Sequence, residues 1–141
     1  MEKCIFCKIV RGDLPSTKVY EDDELLAFLD IQPINHGHVL IVPKQHHASL
    51  TDLDDRVLGN MMVLAKRINQ AIRESDVPSE GINLLLNDGK AAGQEVFHVH
   101  LHVIPRVSQD GFRFVFPEGH KNKPSREALE MVSESIRSHL G

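Results

Sequence analysis

Residues 98 to 104 read His98-Val99-His100-Leu101-His102-Val103-Ile104, three imidazoles alternating with aliphatic side chains. A period of two is that of a strand with one face buried. On such a strand Val99, Leu101 and Val103 point into a core. His98, His100 and His102 then form a row, with successive rings roughly 7 Å apart. Imidazole titrates near ~6.5, so this row offers lone pairs and protons at neutral pH. Three uses are open. The row can be an inert surface face. One member can ligate a metal with distant residues, although i and i+2 stand far apart for one tetrahedral ion with Zn–N bonds of ~2.0–2.1 Å. Or one imidazole attacks a phosphorus or carbonyl centre while its neighbour assists the departing group.

The segment leading into the row, Asp88-Gly89-Lys90-Ala91-Ala92-Gly93-Gln94-Glu95, has glycine near each end. Backbone N–H groups in such a turn form an anion-binding concavity. Beside three histidines, that favours phosphate chemistry over acyl transfer. Asp30 follows an apolar run, where it either accepts hydrogen bonds from a ribose diol or closes the strand as a turn residue. Both cysteines lie in Cys4-Ile5-Phe6-Cys7. The spacing fits half a zinc site or a redox pair. A redox motif wants a strand before it, and this one begins almost at the first residue. No second Cys-x-x-Cys exists, so further zinc ligands would come from the nine histidines.

Stepping outward, the elements that must carry these groups are short. Residues 18–21 and 25–29 read as strands, 32–37 as a loop, and 38–42 as a strand stopped by Pro43. Thr51 or Asp52 can cap the helix that follows, with Asp54 and Asp55 near its first turn. Val57, Met61, Leu64, Ala65, Ile68 and Ile72 mark its apolar stripe, reaching about Arg73. Residues 81–87 read as a strand, and Pro105 closes the histidine strand. After an aromatic patch at 112–117, a last helix starts near Ser125, with Leu129, Val132, Ile136 and Leu140 on one side. Strands, helix, two strands and helix make an α+β domain with a mainly antiparallel sheet.

The 141 residues are enough for one domain with a real core. A net charge of −4, with no polybasic run, gives no case for binding a nucleic-acid duplex. No apolar run is long enough to span a membrane, and the first residues lack the apolar core of a signal peptide. The expected location is cytoplasmic.

The whole chain resembles the histidine triad (HIT) family, in its bacterial single-domain branch. The triplet fits that family's signature, as do Cys4-Ile5-Phe6-Cys7-Lys8-Ile9, Leu29-Asp30-Ile31, Gly37-His38, Pro43-Lys44-Gln45-His46, Ala92-Gly93-Gln94 and Ile104-Pro105-Arg106. The resemblance implies a HIT-like α+β fold, a mainly antiparallel five-stranded sheet with two main helices, the sheet continuing across a homodimer. It implies a single domain over 1–141, with a core at 4–106 and a C-terminal extension and helix at 107–141.

It further implies a nucleotide hydrolase that releases AMP or GMP from a phosphoramidate or dinucleoside polyphosphate. By analogy His100 attacks the α-phosphorus to form a nucleotidyl-imidazole, His102 assists the leaving group, and His98 holds the neighbouring geometry. The other ring nitrogen of His100 should donate to a fixed acceptor. Asn87, Gly93, Gln94 and the backbone at Glu95 match phosphate-contacting positions. Asp30 matches the ribose-binding acid, and Phe6, Ile9, Leu14, Phe28 and Ile31 the slot for the base. Zinc-containing members imply a structural zinc on Cys4, Cys7, His46 and His98, with His47 the competitor of His46. No catalytic metal or organic cofactor is expected. Glu95 departs from the Ser or Thr of better-known relatives, so only its backbone contact carries over. The chain has no Trp, so the leaving-group preference of a branch that uses one does not carry over. The alternative is a non-catalytic interaction protein that binds purine nucleotides or zinc.

Overall fold

The computed structural model describes residues 3–141. They divide into two compact units, one ending at Gly111 and the other covering Phe112–Gly141. The first unit contains α1 (Ile5–Arg11), β1 (Lys18–Glu21), β2 (Leu25–Leu29), β3 (Val39–Pro43), α2 (Asp55–Glu74), β4 (Gly81–Leu85) and β5 (Leu101–Arg106). Its sheet is antiparallel, five-stranded, and ordered β1-β2-β3-β5-β4. This is the expected α+β class, with α1 as an additional short helix.

The last strand in sequence is therefore an interior strand. β5 pairs with β3 on one side, Leu40 opposite His102, and with β4 on the other, Leu85 opposite His102. Alternation along the strands splits the apolar residues between two faces. Leu25, Ala27, Val39, Ile41, Val99, Leu101 and Val103 pack against Met61, Leu64, Ala65, Ile68 and Ile72 of α2. Leu26, Phe28, Leu40 and Val42 lie on the opposite face, against Phe6 of α1. Burial on both faces explains why β2 and β3 are continuously apolar rather than alternating. The histidine row shares the α1 face.

Several boundaries differ from expectation. The β5 ladder starts at Leu101, so His98, Val99 and His100 precede it. The strand expected over 81–87 ends at Leu85. The cap of α2 is Asp54, whose carboxylate accepts from the Arg56 N–H at 2.8 Å, and not Thr51 or Asp52. Those two sit in a single 3-10 turn, Leu50–Asp52, that drops Leu53 into the core, so the helix can begin only after it. The unanticipated α1 is capped by the Cys4 sulfur, which accepts from the Cys7 N–H. Seven residues are too few for a readable periodicity.

In the second unit Ser125 caps α3 (Arg126–Arg137) by accepting from the Ala128 N–H. Leu129, Val132 and Ile136 line one side of it and are exposed. No helix among the described residues is long and apolar enough to cross a membrane.

Candidate active site

On the α1 face a cavity of about 590 Å³ opens between α1, the β2–β3 loop and the start of β5. Its wall joins the apolar side chains of Phe6, Ile9, Leu14, Phe28 and Ile31 to the polar groups of Asp30, Glu95, His100 and His102. Seven of the ten residues expected to hold a nucleotide or line its slot converge here or nearby, and Asn87, Gly93 and Gln94 do not reach the wall. Gly93 (φ +97°), Gln94 and Glu95 line an adjoining hollow with Lys90 and Phe97. Asn87 Nδ2 lies 3.5 Å from the Gly93 carbonyl. The Gln94 side chain is buried and fully engaged: its Oε1 accepts from Gly89 N–H at 2.8 Å, and its Nε2 donates to the Ala48 and Val96 carbonyls. It fixes the loop rather than facing a ligand.

The imidazoles are held in defined tautomers, because each is tied, directly or through a neighbouring ring, to a backbone group whose role is fixed. His100 Nδ1–H donates to the His98 carbonyl at 2.8 Å, which leaves a lone pair on Nε2. The backbone N–H of Ile34 donates to His38 Nδ1 at 3.1 Å, so the His38 proton is on Nε2. That Nε2–H donates to His102 Nδ1 at 2.9 Å, and His102 therefore carries its own proton on Nε2. Two neighbouring rings, with centroids 4.9 Å apart, thus present opposite functions: a lone pair on His100 and a proton on His102.

Burial lowers the pKa of all four rings. His102 is pushed down to about 4 by desolvation, with His100 and His38 adding to it and Asp30 opposing. His98 is pushed down to about 4 by burial, opposed by its bond to Pro43. His100 and His38 are lowered by burial, with carboxylates opposing, Asp30 for both and Glu95 also for His100. All four are neutral at pH 7, as a lone-pair nucleophile requires.

His98 is not among the residues that line the cavity. It is fully buried; its Nε2–H donates to the Pro43 carbonyl at 2.7 Å, and Nδ1 faces Cys4 Sγ at 3.4 Å and Cys7 Sγ at 3.5 Å. Cys7 Sγ lies 3.3 Å from His46 Nδ1, and the four ligand atoms are all within 4.8 Å of one another. A tetrahedral ion with Zn–S near 2.3 Å and Zn–N near 2.0–2.1 Å sets sulfur and nitrogen about 3.5 Å apart. The Cys4, Cys7, His46 and His98 set fits that shape, and His46 rather than His47 completes it. Asp30, His38 and His102 also lie close together. They do not fit a metal, because the Ile34 N–H forces the His38 proton onto the nitrogen that would ligate.

Sequence reasoning gave His38 no role. Its position follows from Gly37, at φ +86°, where a Cβ would lie 2.7 Å from Val77. Only a glycine turns the chain there. Asn35 ties the same loop to β5, its Nδ2 donating to the Pro105 carbonyl and to Asp110, which Arg106 also grips.

Comparison with known proteins places this architecture. The family model of the HIT domain matches residues 11–109. The chain belongs to the HIT family. Among HIT relatives, an adenylylsulfatase of Arabidopsis thaliana is 42% identical over 97% of this chain and 69% of its own. An adenosine 5'-monophosphoramidase of Schizosaccharomyces pombe is 38% identical over 97% of this chain and 98% of its own. A HIT family protein from Bacillus subtilis superposes with a TM-score of 0.90, at 42% identity, covering 99% of this chain and 98% of that one. A zinc-bound histidine triad protein from Mycobacterium smegmatis does so at 0.76, with 40% identity, 95% of this chain and 98% of its own.

Proposed function

We propose that this HIT protein hydrolyses nucleotide conjugates, releasing AMP or GMP from a phosphoramidate or a dinucleoside polyphosphate. The observation that supports this best is the pair of opposed tautomers on His100 and His102. The relatives named for adenosine monophosphoramidase and adenylylsulfatase activity agree with it.

The base enters the slot between Phe6, Ile9, Leu14, Phe28 and Ile31, and Asp30 accepts from the ribose hydroxyls. The backbone N–H of Glu95, with the Asn87 side chain swung in from the loop, holds the phosphate oxygens, because the Gly89, Ala92, Gly93 and Gln94 N–H groups donate within the loop. The His100 Nε2 lone pair forms a bond to the α-phosphorus as the phosphorus–leaving-group bond breaks. For a phosphoramidate, the neutral His102 donates its Nε2–H as a hydrogen bond to the departing nitrogen, which takes a proton from solvent and leaves as a neutral amine. Water then attacks the phosphorus, loses one proton to solvent, and frees His100 with the nucleoside monophosphate. His98 acts through its carbonyl, which keeps the His100 proton on Nδ1.

The Cys4, Cys7, His46 and His98 set holds a structural zinc in this reading, which ties α1, and with it Phe6, to the sheet. Residues 1–141 then form one HIT domain with 107–141 as its extension. The active form is a homodimer, its contact surfaces being α2 and β4, where Met62, Val63 and Leu84 are exposed.

The test is rapid quenching with α-³²P-labelled adenosine 5'-phosphoramidate. A burst of labelled protein is expected, absent from His100→Ala. Turnover by His100→Ala at the parental rate excludes the mechanism, and AMP binding with no turnover of any conjugate favours an interaction protein instead.

A further inference from the structure

The cavity carries a charge pattern that the overall reaction does not require. Among the described residues no lysine or arginine lines it, and its acids are Asp30 and Glu95. Asp30 already has local work, its Oδ1 accepting from the Gln32 N–H at 2.9 Å and its Oδ2 lying 3.7 Å from His38 Nε2. Glu95 has none: among the described residues, no hydrogen bond or ion pair engages its carboxylate. It belongs to the walls of both the cavity and the hollow beyond it, the one that Gly93, Gln94 and Phe97 complete. Lys90 lines that hollow but not the cavity.

The base meets the apolar side chains, and the phosphorus lies at His100 and His102. Glu95 lines the same cavity, so the group that leaves departs with the Glu95 carboxylate in the wall beside it. The Gly89, Ala92, Gly93 and Gln94 N–H groups already donate within the loop, so they do not read what is attached to the phosphate. What Glu95 can sense is the charge of the attached group, because opposite charges a few ångströms apart attract and like charges repel, most strongly where protein displaces water.

We propose that Glu95 is a specificity-determining residue that selects conjugates whose leaving group carries a positive charge, and disfavours those whose leaving group is anionic. The natural substrate class is then a nucleoside phosphoramidate of a polyamine-like or basic amine, ahead of dinucleoside polyphosphates. This rests on the nucleotide-hydrolase reading above and narrows it.

The experiment uses three probes with the full-length protein: AMP joined through phosphorus–nitrogen bonds to 1,4-diaminobutane, the same conjugate of butylamine, and diadenosine triphosphate. The first two differ by one ammonium group. For the unaltered protein, kcat/KM is expected to be about fivefold higher for the diaminobutane conjugate, the scale of one solvent-reachable charge pair. Added salt should shrink that ratio. Glu95→Gln should bring it close to one and raise diadenosine triphosphate turnover relative to the butylamine conjugate. Glu95→Asp should keep the preference. Equal turnover of the two amides by the unaltered protein overturns the proposal, as does a preference that survives in Glu95→Gln, which would assign it to Asp30. Both results leave the hydrolase reading standing. Failure of the unaltered protein to cleave any probe defeats that reading itself.

Discussion

His38 Nε2 lies 2.9 Å from His102 Nδ1, while the Ile34 N–H occupies the other nitrogen of the His38 ring. A backbone donor therefore decides, through two imidazoles, which nitrogen of His102 presents a proton to the cavity. His38 itself does not line that cavity. It is a positioning residue.

Replacing His38 with alanine should lower kcat for an adenosine phosphoramidate by roughly 10²-fold, the low end of what one preorganised hydrogen-bond donor contributes. The loss should be much smaller for adenosine 5'-p-nitrophenyl phosphate, whose leaving group needs no proton. A purely structural role for His38 would depress both substrates equally, and paired kinetics on the two will tell them apart.

His102 also carries a stability signature. Its ordinary pKa of 6.5 falls to about 4 in the fold. Between those values the unfolded chain binds more protons than the folded one, so stability rises with pH across the window. The contribution is present above about pH 6.5 and is lost as pH falls towards 4. Burial lowers His38 in the same direction. Melting temperature measured from pH 7 to pH 4 should decline more steeply for the unaltered chain than for His102→Gln.

Zinc analysis should find one ion per chain. His46→Ala should lose it and His47→Ala retain it, since His46 and not His47 stands against Cys7. A strong chelator should lower the melting temperature, because metal that binds the folded chain alone stabilises it by mass action. Elemental analysis alongside thermal melts covers all four outcomes.

Phe6 links the two sites. Its ring lies edge-on to His100 at 5.0 Å, to His98 at 5.9 Å and to Phe28 at 5.7 Å. Phe6→Ala should cost about 3 kcal/mol of stability, as for other buried aromatic truncations. It should also weaken AMP binding, since the same ring walls the slot. Denaturant unfolding and calorimetric titration report the two effects separately, and unchanged AMP affinity would remove Phe6 from the slot.

Much of this was legible in the order of residues. The alternation from His98 to Ile104 marked an extended segment with imidazoles on one side, and the heptad-like stripe from Val57 to Ile72 marked α2. Period and composition are local properties, so a sequence carries them openly. The short α1 was not legible, because one Cys-x-x-Cys spans barely one turn.

What the fold alone decided is where the protons sit. His98 and His102 share one face by periodicity, yet Pro43 and the cysteines claim the first, and His38 and the cavity the second. Cys7 meets His46 across 39 positions, and His38 meets His102 across 64. A ring nitrogen becomes donor or acceptor according to the partner held against it. Those partners are backbone groups and side chains on other strands and loops, brought there by sheet register, which residue order leaves unspecified.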